Sequence, residues 1–195
     1  MVAREKRAAY SGETYWGRPV PGFGDPKARI VVLGLAPAAH GANRTGRFFT
    51  GDRSGDFLFS VLHRVGLANR PRSRHREDGL SLKGLWISAA VRCAPPHNKP
   101  TPEERDACLP YAARELELLD ARVVVCLGAF AWNVALRIFE IRPKPKFAHG
   151  AEATLDGVTL LGCYHPSRQN TFTGVLTPAM LEGVLRRARG LAALE

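Results

Sequence analysis

The chain has 195 residues, 45% of them hydrophobic, and a formal net charge of +10 from 28 basic and 18 acidic side chains. That length and apolar content suit a single domain, residues 1–195, with a substantial core. No apolar run is long enough to span a bilayer, and the opening MVAREKRAAY lacks the apolar stretch of a secretory signal, so a cytoplasmic protein with no membrane partner is expected. The basic excess is mostly arginine and points to a polyanionic partner, nucleic acid first, against the plainer reading of a solvated surface.

Residues 1–28 read as irregular, with Gly and Pro in WGRPVPGFGDP. The apolar run that begins RIVVL predicts a buried strand over about 29–35. A loop follows, GLAPAAHGANRTGRFFTGD, and then a helix over about 55–66 with Phe57, Leu58, Val61, Leu62 and Val65 on one stripe. Arg70, Arg72, Arg74 and Arg76 alternate in the next loop, about 69–82, which either contacts the polyanion or is simply solvated. GLWISAAVR predicts a second strand over about 84–92. TPEE, with Thr101 as N-cap, Pro102 after it and Glu104 closing a capping box, starts a helix to about 119. A strand at about 122–127, a helix at about 129–139, an edge strand near 150–155, a strand at about 158–163 and a helix from Thr177 to about 193 complete the pattern. Strands alternating with helices predict an α/β three-layer sandwich, its mostly parallel sheet flanked by helices. Three loops then gather at one edge of the sheet: 36–54, 93–100 and 164–174.

Known chemistries fail on particular residues. Gly34 is followed by Leu35 and Ala36, so no dinucleotide fingerprint forms. Gly41 to Gly46 has P-loop glycine spacing, but Arg47 and Phe48 stand where Lys and Ser/Thr are needed. Neither the zinc deaminase pattern nor a G-x-S-x-G elbow occurs. Of the four cysteines, Cys126 and Cys163 sit in strand contexts as core thiols; Cys93 and Cys108 flank the loop APPHNKP, and two cysteines alone do not define a metal site. What remains is a composite of loops. YHPSRQNTFTG brings a His off a strand end, followed by donors suited to phosphates and base edges. The first loop brings small residues, then Phe48 and Phe49, one expected in the core and one free to stack on a flat ring. Asp52 ends that loop, where it is placed to cap the next helix.

GLAPAAHGANRTGRFFTGD and HPSRQNTFTG resemble the two signature motifs of the uracil-DNA glycosylase superfamily, nearest to family 5, the type-b enzymes. The resemblance runs on through YWGRPVPGFGD and AAVRCAPPHNKPTPEE to the end of the chain. It implies a four-stranded mostly parallel sheet and excision of uracil, with other deaminated bases, from DNA by a monomer acting at the nucleoid. It implies Asp52 and His165 as catalytic residues. Gly34, Leu35, Ala36, Pro37, His40, Phe49 and Asn98 would contact the base. Arg44, Arg47, Ser167, Arg168, Gln169 and Asn170 would contact DNA. Other families place a water-activating carboxylate or amide where Ala36 stands, and family 4 an asparagine where Ala89 stands; Asn98 is the nearest substitute for the latter. The resemblance also implies a 4Fe–4S cluster held by four cysteines. Cys93 and Cys108 match the later pair, whereas the earlier pair belongs to a C-x-x-C segment upstream of where this sequence starts, so a poorly held or missing cluster is expected. Two rivals stand beside this reading: a non-catalytic nucleic-acid-binding relative and an α/β enzyme acting on free nucleosides.

Overall fold

A computed structural model describes residues 3–193. Six strands form one sheet: β1 (Phe23–Gly24), β2 (Ile30–Gly34), β3 (Leu85–Ala89), β4 (Val123–Leu127), β5 (Glu152–Leu155) and β6 (Val158–Cys163), in the order β1-β3-β2-β4-β6-β5. The four central strands are parallel, as expected; β1 and β5 add an antiparallel edge at either side. The edge strand anticipated near 150–155 is β5, while two-residue β1 gave no alternation to find.

The helices are α1 (Ala42–Thr45), α2 (Arg53–Arg64), α3 (Pro102–Leu118), α4 (Ala129–Ile138), α5 (Arg168–Phe172) and α6 (Pro178–Leu191). The central strands are apolar on both faces because helices cover both. Ile30, Val32, Leu85, Ile87, Val123 and Val125 face the layer that contains α2 and α6. Val31, Leu33, Val124, Cys126 and Leu160 face the layer built around Trp132 of α4. One residue of register separates the two sets. Thr101 and Glu104 make the reciprocal capping box at the start of α3, and Thr177 caps α6 through the Met180 N–H.

The chain leaves β2 for β3 on one side and returns to place β4 on the other, so the order of the sheet reverses at the carboxyl end of β2. Open α/β sheets bind their ligands at that point. Here it is occupied by the loop after Gly34. Tyr15 and Trp16 brace this loop from outside: Tyr15 Oη lies 2.8 Å from His40 Nδ1, and the Trp16 N–H donates to the Arg44 carbonyl at 3.0 Å.

Candidate active site

At the carboxyl end of β2, a cavity of about 50 Å³ is lined by Gly34, Ala36, Ala38, Ala42, Phe48, Phe49, Asp52, Ser54, Ala89 and His165. It opens toward a groove of about 770 Å³, and Asp52, Ser54 and Ala38 line both. The two loops that supply Asp52 and His165 are far apart in sequence; the parallel order β2-β4-β6 brings them together.

Phe48 and Phe49 divide as expected. Phe48 is buried in the core, and Phe49 walls the cavity with its ring 6.1 Å from the His165 ring. Phe49 holds a left-handed backbone with φ 52°, an arrangement that costs of order 1–3 kcal/mol and is tolerated where function needs it. Its ring explains Gly34: a Cβ there would sit 3.1 Å from Phe49 Cζ.

Asp52 both caps a helix and walls the cavity. Its Oδ1 accepts the Gly55 N–H at 2.9 Å at the start of α2. Burial raises its pKa above the ordinary carboxylate range against the pull of that hydrogen bond, and Asp56 nearby raises it further. Gly41 packs directly on the carboxylate, and a Cβ there would collide with it.

His165 leaves the end of β6. Its carbonyl accepts the Asn170 side-chain amide at 2.9 Å, and its ring makes no hydrogen bond among the described residues. Burial pushes its pKa down to about 4, so the imidazole is neutral at pH 7. The N–H groups of Ala36 and Ala38 donate to nothing among the described residues, leaving donors at the cavity wall.

Other predicted residues fall elsewhere. Leu35 and Pro37 line neither cavity nor groove; the Leu35 carbonyl accepts the Val91 N–H. His40 and Asn98 line the groove rather than the cavity. Arg47 corrects the expectation of a DNA contact: it is 6% exposed, and its guanidinium is turned inward onto Asp78 at 2.8 Å. Arg44 is likewise engaged internally, by Glu13 at 2.6 Å and the His40 carbonyl at 2.8 Å. Ser167 caps α5 through the Asn170 N–H, so it and Asn170 hold the His165 loop in shape. Arg168 and Gln169 are exposed, and Arg168 lines the groove. Sequence reasoning missed Phe172, which is 87% exposed on α5; an aromatic on so short a helix, with polar residues on either side, was the available signal.

Burial raises the Cys93 thiol pKa, and Cys108 beside it adds to the effect, so these two cysteines are neighbours. No group of three or more metal-binding side chains gathers among the described residues. A 4Fe–4S cluster needs four ligands, usually thiolates. Burial in β4 drives the Cys126 thiol far up, and burial in β6 pushes Cys163 up to about 12, so neither offers a thiolate. The residues present do not fit the cluster.

The family described as "Uracil DNA glycosylase superfamily" matches residues 21–189. The chain is 56% identical, over its whole length and 74% of the relative's, to a "Type-5 uracil-DNA glycosylase" of Mycobacterium bovis. It is 54% identical to a protein of that description from Thermus thermophilus, covering 97% of this chain and 87% of that one. A "Type-4 uracil-DNA glycosylase" of Archaeoglobus fulgidus is 34% identical over 76% of this chain and 70% of its own. The chain belongs to the uracil-DNA glycosylase superfamily. Within it, the full-length similarity places it with the type-5 enzymes.

Proposed function

We propose that this uracil-DNA glycosylase, which excises uracil from DNA by hydrolysing the N-glycosidic bond, holds the extruded base between Phe49 and the alanine-lined wall. His165 then acts on the leaving group and Asp52 on the water. The observation that carries this reading is the meeting of Phe49, Asp52 and His165 around one cavity at the switch point of the sheet.

The base is flipped from the stack at a cost of a few kcal/mol. Its ring stacks on Phe49, and the free N–H groups of Ala36 and Ala38 face its polar edge. As the C–N bond breaks, its electron pair goes to the base, and negative charge grows on the base carbonyl oxygens. Neutral His165 donates an N–H to that charge without transferring a proton, an oxyanion-hole type of stabilisation. Positive charge grows on the sugar. Asp52, in its raised-pKa setting, accepts a proton from the attacking water as the water oxygen joins C1′. An abasic site and the base anion result, and the proton taken up by Asp52 passes through solvent to the departed base. Phe172 is 87% exposed on α5, shortly after His165, and an apolar side chain there suits insertion into the gap the base leaves.

Among the described residues no lysine lines either the cavity or the groove, which speaks against a Schiff-base route to strand cleavage. A labelled uracil duplex treated with the protein should break only after hot alkali, and borohydride should trap no adduct; a trapped adduct would exclude the mechanism. Ala36, Ala38, Ala42 and Ala89 make the cavity wall unexacting, and apolar walls discriminate weakly between analogues. Hypoxanthine and hydroxymethyluracil should therefore also be released, and strict preference for uracil on such a panel would contradict this. The groove's arginines favour a polymer over a free nucleoside as substrate.

A further inference from the structure

We infer that the arginine-rich loop 70–79 is a phosphate clamp for the DNA strand beside the extruded nucleotide, and that the inward-facing Arg47–Asp78 pair is the device that positions it. The inference rests on DNA being the substrate. Arg72 and Arg74 line the groove that opens on Asp52, opposite no acidic partner among the described residues. Arg7, Arg53 and Arg168 line it too, equally without ion pairs among the described residues; the acidic side chains in its wall are Asp52 and Asp56. Five guanidiniums facing a concave channel describe an anion track, and arginine's fork geometry suits phosphate oxygens.

A merely solvated loop would need no buried anchor, yet this loop has one. Arg47 Nη2 contacts both Asp78 carboxylate oxygens at 2.8 Å and Ser73 Oγ at 2.6 Å, Nη1 reaches the Arg76 carbonyl at 3.0 Å, and Nε reaches Thr50 Oγ1 at 3.1 Å. Asp78 also accepts the N–H groups of Arg74 at 2.7 Å and Leu80 at 3.0 Å. Ser73 is buried while Arg72 and Arg74 on either side are exposed, so the anchor turns one residue in and both neighbours out. The Ser73 carbonyl accepts the N–H of Gly51 at 3.1 Å, one residue before Asp52. The clamp is therefore registered to the catalytic carboxylate through a single residue. A buried ion pair is weak evidence for net stability, and fixing a local geometry is one of its attested uses.

The test is the salt dependence of binding to an undamaged duplex, read by fluorescence anisotropy across a KCl series. Each phosphate contact contributes about 0.9 to the slope of log K against log salt. Arg72→Gln and Arg74→Gln should each flatten the slope by about one, and the double variant by about two. Arg114→Gln removes the same charge from exposed α3, outside the groove, and should leave the slope unchanged. Asp78→Asn decides the positioning claim because two effects have opposite signs. Removing an acidic charge from a DNA-binding protein should tighten binding if only net charge matters; a released clamp weakens it. Ser73→Ala cuts the anchor's hydrogen bonds to Arg47 and Thr50 with no change of charge and should also weaken binding, which keeps the test decisive if Asp78→Asn does not fold. Unchanged slopes in the two arginine variants would overturn the clamp. Tighter binding by Asp78→Asn, or unchanged affinity in Ser73→Ala, would overturn the positioning. Uracil release at saturating enzyme is measured separately: its absence in the wild type would refute the excision mechanism while the binding slopes still judge the clamp.

Discussion

The cavity and the groove share Asp52 but are opposite environments. The cavity is about 50 Å³, walled by alanines, glycine and two phenylalanine rings, and its two titratable groups are both pushed by burial toward their neutral forms. The groove is about 770 Å³, open, and edged with arginines that stay charged at any working pH. The difference teaches how capture and chemistry are separated. Fixed charge in water attracts a polyanion over a Debye length but contributes little to a specific bond-breaking step. Hydrogen-bond donors in a dry cavity act where transition-state charge develops, and there the low dielectric magnifies them.

The largest effect should come from the cavity. His165→Ala removes the donor proposed for the leaving base, and single-turnover excision at saturating enzyme should fall by roughly 10²–10³. Retention of near wild-type rate would dissolve the contrast between the two regions. Titration of the same residue gives a second test. The folded pKa near 4 lies below the unfolded value of 6.5, so stability is full above pH 6.5 and is lost as pH falls toward 4. The full shift amounts to about 3 kcal/mol, visible in denaturant melts of the wild type and absent from His165→Ala. The single-turnover rate should meanwhile pass through pH 6.5 without inflection; a break there would mean a charged imidazolium at work.

Asp78 anchors the groove side. Burial works to raise its pKa, but the Arg47 guanidinium and the N–H groups of Arg74 and Leu80 outweigh it and hold the pKa at about 2. Its stabilisation is present above the ordinary value of 3.8 and is lost as pH falls toward 2, a span worth about 2 kcal/mol. Asp78→Asn should therefore lower the melting temperature at pH 7, while excision at saturating enzyme should fall far less than in His165→Ala.

Asp52→Asn should have the opposite profile. Its raised pKa means that stability is present below the ordinary carboxylate value and lost as pH rises through the folded one, so the charge is a burden at pH 7. Asparagine keeps the cap on α2. The variant should melt higher than wild type while excising about tenfold more slowly, a smaller loss than in His165→Ala because departure of the base proceeds partly without activated water. A lower melting temperature would show that capping, not the cavity, governs this residue. The smallest effect belongs to the groove: Arg168→Gln should weaken duplex binding about threefold near 0.1 M salt, with an unchanged rate at saturation.

Much of the site was legible because its local signals are strong. RIVVL and VVVCL, short and rich in β-branched residues, read as buried strands between helical layers, and TPEE carries its own capping chemistry. The loops at the strand ends followed from the alternation of elements. The two short helices α1 and α5 were not legible, since four or five residues give no periodicity.

The arginines show where sequence stops. By itself the chain determined that a basic protein would fold as a parallel sheet with His165 and Asp52 in loops at the same edge, because strand patterning and connection order fix which ends collect together. Arg47, Arg72 and Arg74 carry the same charge on the same stem, and nothing local separates them. Packing does: Asp78 and Ser73 close over Arg47 and leave the other two in the groove. Likewise Phe48 and Phe49 are neighbours of identical chemistry, yet Phe48 is buried in the core at the cavity wall while Phe49, at a left-handed backbone, faces His165 across the cavity. Those outcomes depend on contacts between segments far apart in sequence, so only the tertiary structure decided them.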